Sequence, residues 1–225
     1  MPIIPMKYKI YLFRHGQTYY NRSGRFTGDI NSHLTSQGKK DAQKIAQKLK
    51  KVKIDYAFET RLSRSKDTLK YVLKYHPECK KIIEDDRMIE RDYGLLKGKT
   101  HKAFVKKFGE KLYHIYLHWH ALDHLKGKAK KRFIQERGIK ELQIIRRSYG
   151  IRPPKGESVK DVEKRVEAFI KDLLKFMKKH KGNVAISAHG NSMRPFRRHF
   201  EKLSTERMMA LENPWDDYFV YTVEI

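Results

Sequence analysis

Two short apolar runs, Lys9–Phe13 (KIYLF) and Val184–Ala188 (VAISA), set the frame within which this chain can fold. Neither alternates apolar with polar residues, as a strand with one face in water does. Runs of this length belong in a sheet covered on both faces, which is typically parallel and needs helices on either side. The intervening sequence supplies those helices. Ala42, Ile45, Ala46 and Leu49 recur at helical spacing behind a capping Thr35, and Leu69, Val72 and Leu73 share one side of a second helix. Val159, Val162, Val166, Phe169 and Leu173 form the buried face of a third, opened by Ser158 and stopped by Gly182. Further strands are expected at Tyr56–Phe58, near Lys81–Ile83 and at Tyr218–Val223, with a last helix after His189. The pattern predicts an α/β three-layer sandwich with a mainly parallel, mixed central sheet flanked by helices. Residues 1–225 form a single domain in this reading, with a basic helical insertion at about 101–145 ended by the break Pro153-Pro154-Lys155-Gly156.

With 225 residues, 39% of them hydrophobic, the chain can bury one sizeable core, and the periodic apolar positions exclude disorder as its main state. No uncharged run approaches the roughly 18 residues that span a bilayer, and Met1–Lys9 lacks a leader's apolar stretch. A single cysteine, Cys79, forms neither an internal disulfide nor a thiolate metal cage, so a soluble, cytoplasmic protein is expected. Lys and Arg number 51 against 26 Asp and Glu, a formal net charge of +25 that calls for an anionic partner: nucleic acid, membrane or a small phosphorylated substrate. Most of the lysines, in Lys39–Lys53, Lys126–Arg132 and Lys171–Lys181, alternate with apolar residues at helical spacing and read as solvated helix faces. No nucleic-acid signature accompanies the charge, and neither nucleic acid nor a membrane is expected as partner.

In open α/β sheets ligands collect beyond the carboxyl ends of the strands, and both apolar runs end in a histidine followed by glycine, His15-Gly16 and His189-Gly190. A neutral imidazole held there by backbone hydrogen bonds can attack phosphorus and give a phosphohistidine. Charge then develops on the equatorial phosphoryl oxygens, which calls for rigid, forked cationic donors. Arg14 adjoins His15, and Arg64 follows the second strand at the same sheet edge. Glu90, in a glycine-bounded loop after the third strand, supplies a carboxyl group to protonate the leaving oxygen.

These residues lie in motifs that occur in a fixed order: RHGQTYYN (Arg14–Asn21), RFTG (Arg25–Gly28), ERDYGLLKG (Glu90–Gly98), RRSYGIRPP (Arg146–Pro154), GES (Gly156–Ser158) and AHGNSMR (Ala188–Arg194). Across nearly the whole chain the set resembles the histidine phosphatase superfamily, and within it the cofactor-dependent phosphoglycerate mutases. The resemblance implies a phosphoglycerate mutase-like fold, with His15 as the phosphorylated residue. Arg14, Arg64 and His189 would clamp the phosphoryl group, and Glu90 would act as general acid and base. Thr18, Asn21, Thr27, Gly28, Arg91, Tyr93, Gly190 and Asn191 would bind substrate, while Arg146 and Arg147 grip a carboxylate or second phosphate at the far end. The family's ligand-binding lysine falls at His101, flanked by Lys99 and Lys102. The resemblance also implies a phosphoglycerate substrate, interconversion of 3- and 2-phosphoglycerate in glycolysis and gluconeogenesis, 2,3-bisphosphoglycerate as primer, no metal, and a homodimer or homotetramer.

Several positions depart from the family pattern. Gln17 and Thr18 stand where Glu-Ser is usual, Thr18 keeping the hydroxyl, and Tyr20 and Asp29 replace tryptophans. The chain ends at Ile225, almost directly after the last strand, without the tail that often closes over a mutase site. A more open site lets water compete for the phosphohistidine, so a phosphatase acting on small phosphate esters is the alternative. A third reading, from another class, makes the basic insertion a polyanion-binding surface around Lys126–Arg132. The insertion also holds His114, His118, His120 and His124, but no carboxylate or cysteine completes a metal set. Its Tyr113, Tyr116, Leu117 and Leu125 are expected to pack on the main domain or a second subunit.

Overall fold

The computed structural model describes residues 6–118, 121, 122 and 124–225; His120 lies outside them. Five strands, β1 (Lys7–Arg14), β2 (Tyr56–Glu59), β3 (Lys81–Glu84), β4 (Val184–Ala188) and β5 (Tyr218–Glu224), form one sheet in the order β3-β2-β4-β1-β5. All neighbours are parallel except β5, which runs antiparallel to β1 at the edge. The central strands are buried on both faces, and the pleat divides their side chains between two cores. Ile10, Leu12, Tyr56, Phe58, Val184 and Ile186 point into a core with helices α6 (Val159–His180) and α7 (Gly190–Glu201). Tyr11, Phe13, Ala57 and Ala185 point the other way, onto α2 (Ser36–Leu49) and α3 (Ser63–Leu73). The result is the three-layer α/β sandwich with a mainly parallel sheet.

Local signals fix the helix ends. The Thr35 hydroxyl accepts from the Gly38 amide at 3.0 Å to open α2. At α6, Ser158 accepts from the Asp161 amide while the Asp161 carboxylate accepts from the Ser158 amide at 2.9 Å, a reciprocal capping box. α6 does not stop at Gly182, however. It ends at His180, and Lys181 takes the left-handed cap with φ of 50°. Gly182 is needed for a different reason: a Cβ there would meet Asp55 Cβ at 2.7 Å and the Tyr56 ring at 2.9 Å.

The basic stretch forms two helices, α4 (His101–His118) and α5 (Gly127–Arg147), which pack antiparallel. Their axes approach closely through two glycines: a Cβ on Gly109 would meet the Ile134 carbonyl oxygen at 2.0 Å, and one on Gly138 that of Val105 at 2.0 Å. Gly138 is the one buried residue of α5. Towards the tip the aromatic residues meet each other, Tyr113 and Tyr116 both lying edge-on to the Phe133 ring. At its root the hairpin joins the domain through Phe26, Tyr93, Leu96 and Phe104, with Phe108, Leu142 and Ile145 packed on them. No helix among the described residues is long and apolar enough to cross a membrane.

Candidate active site

The register of the two central strands brings the two histidines together. Arg14 pairs with Ala188 across β1 and β4, so the next residue on each strand, His15 and His189, leaves the sheet side by side, with ring centroids 5.0 Å apart. Both are almost fully buried. His15 Nδ1 lies 2.8 Å from the Gly16 carbonyl oxygen. A carbonyl only accepts, so Nδ1 carries the proton and Nε2 keeps its lone pair. Burial, and then the Arg64 and Arg14 guanidinium groups, push the His15 imidazole well below its ordinary range, which leaves it neutral at neutral pH. His189 is held neutral in the same way, first by burial and then by Arg64. Arg64 Nε donates to His189 Nδ1 at 3.3 Å, so His189 Nε2 carries the proton, 2.9 Å from the Thr60 hydroxyl.

Arg64 opens α3 and is 1% exposed. Its other nitrogens donate to the carbonyls of Ile30 at 2.8 Å and Gly28 at 2.7 Å, and desolvation lowers its pKa to about 10. Arg64 thus fastens the Gly28–Ile30 loop to the histidine pair and does not form the pocket wall. Arg14, at the end of β1, does. It donates to the Asn213 carbonyl at 3.2 Å and its guanidinium lies 4.9 Å from the Trp215 ring centroid. Its Nε–H and the indole N–H of Trp215 are both buried without a partner among the described residues. Two orphaned donors on one pocket wall are a place for an acceptor-rich ligand.

The pocket beside Arg14 has two lobes, and the buried His15 and His189 rings line neither of them. One, of about 300 Å³, is lined by Arg14, Asn21, Arg25, Phe26, Thr27, Gly28, Glu90, Tyr93, His101, Arg146, Asn191, Glu212 and Trp215. The other, of about 90 Å³, adds Arg147, Gly190, Arg194 and Asn213. Five arginines against two glutamates make the space strongly favourable for anions. Glu90 lines both lobes; its Oε1 accepts from the amides of Arg91 at 2.8 Å and Asn191 at 3.2 Å, which orients the carboxyl group. The Arg146 side chain makes no hydrogen bond or ion pair among the described residues, whereas Arg147 donates to Glu212 Oε1 at 2.6 Å. Of the three candidates for the family lysine, His101 lines the pocket, edge-on to Phe26, while Lys99 and Lys102 are exposed outside it. Desolvation and then Arg146 bring the His101 pKa down to about 4, so it enters the site as a neutral ring.

Two residues expected to bind substrate lie elsewhere. Arg91 is 0% exposed, and its nitrogens donate to the carbonyls of Glu157 at 2.7 Å, Ile145 at 2.9 Å and Ile151 at 2.9 Å. Every arm of the guanidinium is engaged with backbone, so Arg91 positions the segment that carries Arg146 and Arg147. Thr18 is likewise fully buried and caps the short helix α1 (Tyr19–Arg22), its hydroxyl donating to the Asn21 side chain at 2.9 Å. It holds Asn21 at the pocket without reaching the pocket itself. Asp29 also stands outside the wall, paired with Lys97 at 2.7 Å. Conversely, Arg25, Arg194, Glu212, Asn213 and Trp215 line the pocket although sequence reasoning assigned them no role. Arg25 and Arg194 stand inside quoted motifs, which was the available signal; the other three lie in an unremarkable loop before β5. Among the described residues no three His, Cys, Asp or Glu side chains are grouped so as to hold a metal ion.

The family model of the histidine phosphatase superfamily (branch 1) matches residues 10–150 and 120–224. The 2,3-bisphosphoglycerate-dependent phosphoglycerate mutase of Chlamydia caviae is 33% identical over 215 residues, 93% of this chain and 91% of that protein. The enzyme of that name from Parvibaculum lavamentivorans is 34% identical over 217 residues, 95% of this chain and 89% of that protein. Among solved structures, phosphoglycerate mutase from Bacillus anthracis superposes with a TM-score of 0.65 at 20% identity, covering 98% of this chain and 94% of its own. The α-ribazole phosphatase from Shigella flexneri gives 0.68 at 20% identity, covering 94% and 89%. At that identity both establish the shared fold.

Proposed function

The chain belongs to the histidine phosphatase superfamily, and we propose that it is a phosphoglycerate mutase interconverting 3- and 2-phosphoglycerate through a phosphohistidine at His15, primed by 2,3-bisphosphoglycerate. The observation that carries the reading is a pocket with more cations than a single phosphate needs. Arg14, beside His15, and Arg146 line both lobes, and the smaller lobe adds Arg147 and Arg194. A phosphatase needs to hold one phosphate; a mutase must keep a second anionic group while the bound intermediate turns around.

In this reading His15 Nε2, unprotonated because Nδ1–H is given to Gly16, attacks the phosphoryl group. The orphaned Nε–H of Arg14 meets the charge that develops on the equatorial oxygens. Behind it, the Arg64 guanidinium supplies a fixed positive field without moving, since its donors are already engaged, and the neutral His189 ring is held in place between Arg64 and Thr60. Glu90, oriented by two amides and reaching both lobes, hands a proton to the departing oxygen and takes it back from the next one. The residues present suit a bisphosphate anion, with unpartnered donors at Arg14 and Trp215 and an unpaired Arg146. When bound, 2,3-bisphosphoglycerate would supply the phosphoryl group that loads His15.

An enolase-coupled assay with and without added 2,3-bisphosphoglycerate tests the proposal. Stimulation by the primer and loss of at least about a thousandfold of activity in His15→Ala are expected, since removing an essential nucleophile costs up to about a millionfold in kcat. No stimulation, or full activity in His15→Ala, refutes it. Release of inorganic phosphate from unrelated esters faster than isomerisation supports a phosphatase instead, a reading favoured by the neutral His101 at the position of the family's lysine.

A further inference from the structure

The loop between helix α8 (Thr205–Ala210) and β5 brings a carboxylate into the arginine-lined lobe. Its frame is rigid. Asn213 is 6% exposed; its side-chain amide donates to the Gly190 carbonyl at 2.9 Å, and its side-chain oxygen accepts from Arg197 at 3.0 Å. At the far end the chain enters β5, where Tyr218 pairs with Phe13 of β1. Between these anchors Trp215 lies against Arg14. One residue before Asn213, the Glu212 carboxylate meets Arg147 at 2.6 Å, and it is also drawn towards Arg194 and Arg14. The backbone is therefore pinned, while the Glu212 side chain is 78% exposed and can swing away.

We propose that Glu212 is a built-in competitor for the distal anion seat: its carboxylate on Arg147 holds the place of a substrate's second anionic group and sets the affinity for substrates that carry two. A ligand with a single anion at His15 leaves the Glu212–Arg147 pair intact. A ligand with a second carboxylate or phosphate must displace Glu212, and an ion pair this exposed is weak enough to be displaced. A phosphate, with more charge and more acceptor oxygens than a carboxylate, competes best for a forked guanidinium. The lobe thus discriminates by the charge of the distal group, and it does so through one side chain. This inference rests on reading the Arg146–Arg147 lobe as the seat of the second anion.

The test compares wild type with Glu212→Gln, which keeps the shape and removes the charge, in calorimetric titrations of two probes. Against 2,3-bisphosphoglycerate the variant should bind three- to tenfold more tightly. Against orthovanadate, a single small anion that mimics the phosphoryl group at His15, affinity should move by less than twofold. Unchanged affinity for bisphosphoglycerate, or equal gains for both probes, overturns the proposal. A melting curve matching that of wild type shows that the variant is folded, and Glu212→Ala gives a second measurement of the same difference. Arg147→Gln separates the underlying reading. If it leaves bisphosphoglycerate affinity untouched, the lobe is not the anion seat; if it weakens binding while Glu212→Gln does not strengthen it, only the role of Glu212 fails.

Discussion

Replacing Arg91 by methionine removes a buried guanidinium while nearly keeping its volume, and the structure sets the size of the effect. Three charge-assisted hydrogen bonds of 2.7, 2.9 and 2.9 Å disappear, and the carbonyls of Glu157, Ile145 and Ile151 lose their donor. Bonds of this kind contribute about 1.5–3 kcal/mol each, so the gross loss is about 4.5–9 kcal/mol. Relief from burying a cation offsets several kcal/mol of that, which leaves a net destabilisation of about 2–4 kcal/mol. For a chain of this size each kcal/mol shifts the melting temperature by about 2–4 °C, so a drop of about 4–16 °C is expected. Ile145 immediately precedes the Arg146–Arg147 pair, so KM should rise more than kcat falls, a split that a merely structural residue would not produce. Urea unfolding and steady-state kinetics on Arg91→Met, with Arg91→Lys restoring one of the three bonds and an intermediate stability, provide the measurement. An Arg91→Met protein within about 0.5 kcal/mol of wild type and with unchanged KM would show that these three bonds do not hold the segment.

Acid should unfold the protein early. His15 and His189 are held neutral when folded but take up protons when unfolded, with an ordinary value of about 6.5. Below that value the unfolded chain binds more protons, so stability is full above about pH 6.5 and falls as pH drops; one pH unit lower the pair costs about 3 kcal/mol. Urea midpoints at pH 7.5 and 5.5, with the two imidazoles followed by NMR, check this; near-normal titration of either ring contradicts it. At the hairpin crossing, Gly138→Ala drives a Cβ to 2.0 Å from the Val105 carbonyl oxygen, whereas Gly150→Ala meets nothing within 4 Å. The first should cost about 1–3 kcal/mol and weaken hydrogen-exchange protection across α4 and α5, and the second should do neither.

The layers and most element boundaries were legible because burial on both faces leaves an unmistakable apolar run at β1 and β4, and because Thr35 and Ser158 announce their helices chemically. The end of α6 was not legible. A left-handed cap at Lys181 contradicts residue preference, and what requires glycine next door is Asp55 and Tyr56, far away in sequence. At the site, the two apolar runs placed His15 and His189 at the same sheet edge, while their direct neighbourhood follows from the pairing of β1 with β4, which no local signal announces. Motif position could not separate residues that reach the pocket, such as Asn21 and Asn191, from Arg91 and Thr18, which support it from beneath. That distinction is one of burial. Glu212, Asn213 and Trp215 carried no signal at all: their relation to Arg147, Gly190 and Arg14 exists only once β5 has turned back along β1.

The hairpin has a mechanical consequence. α5 extends for 21 residues, about 30 Å, from the basic run at its tip to Arg146 and Arg147 in its last turn. Glycine-mediated contact with α4 leaves the two helices no room to slide, and the root is clasped by the aromatic cluster around Phe26 and Phe104. One continuous helix therefore joins the lysine-rich run at one extremity to two pocket-lining arginines at the other.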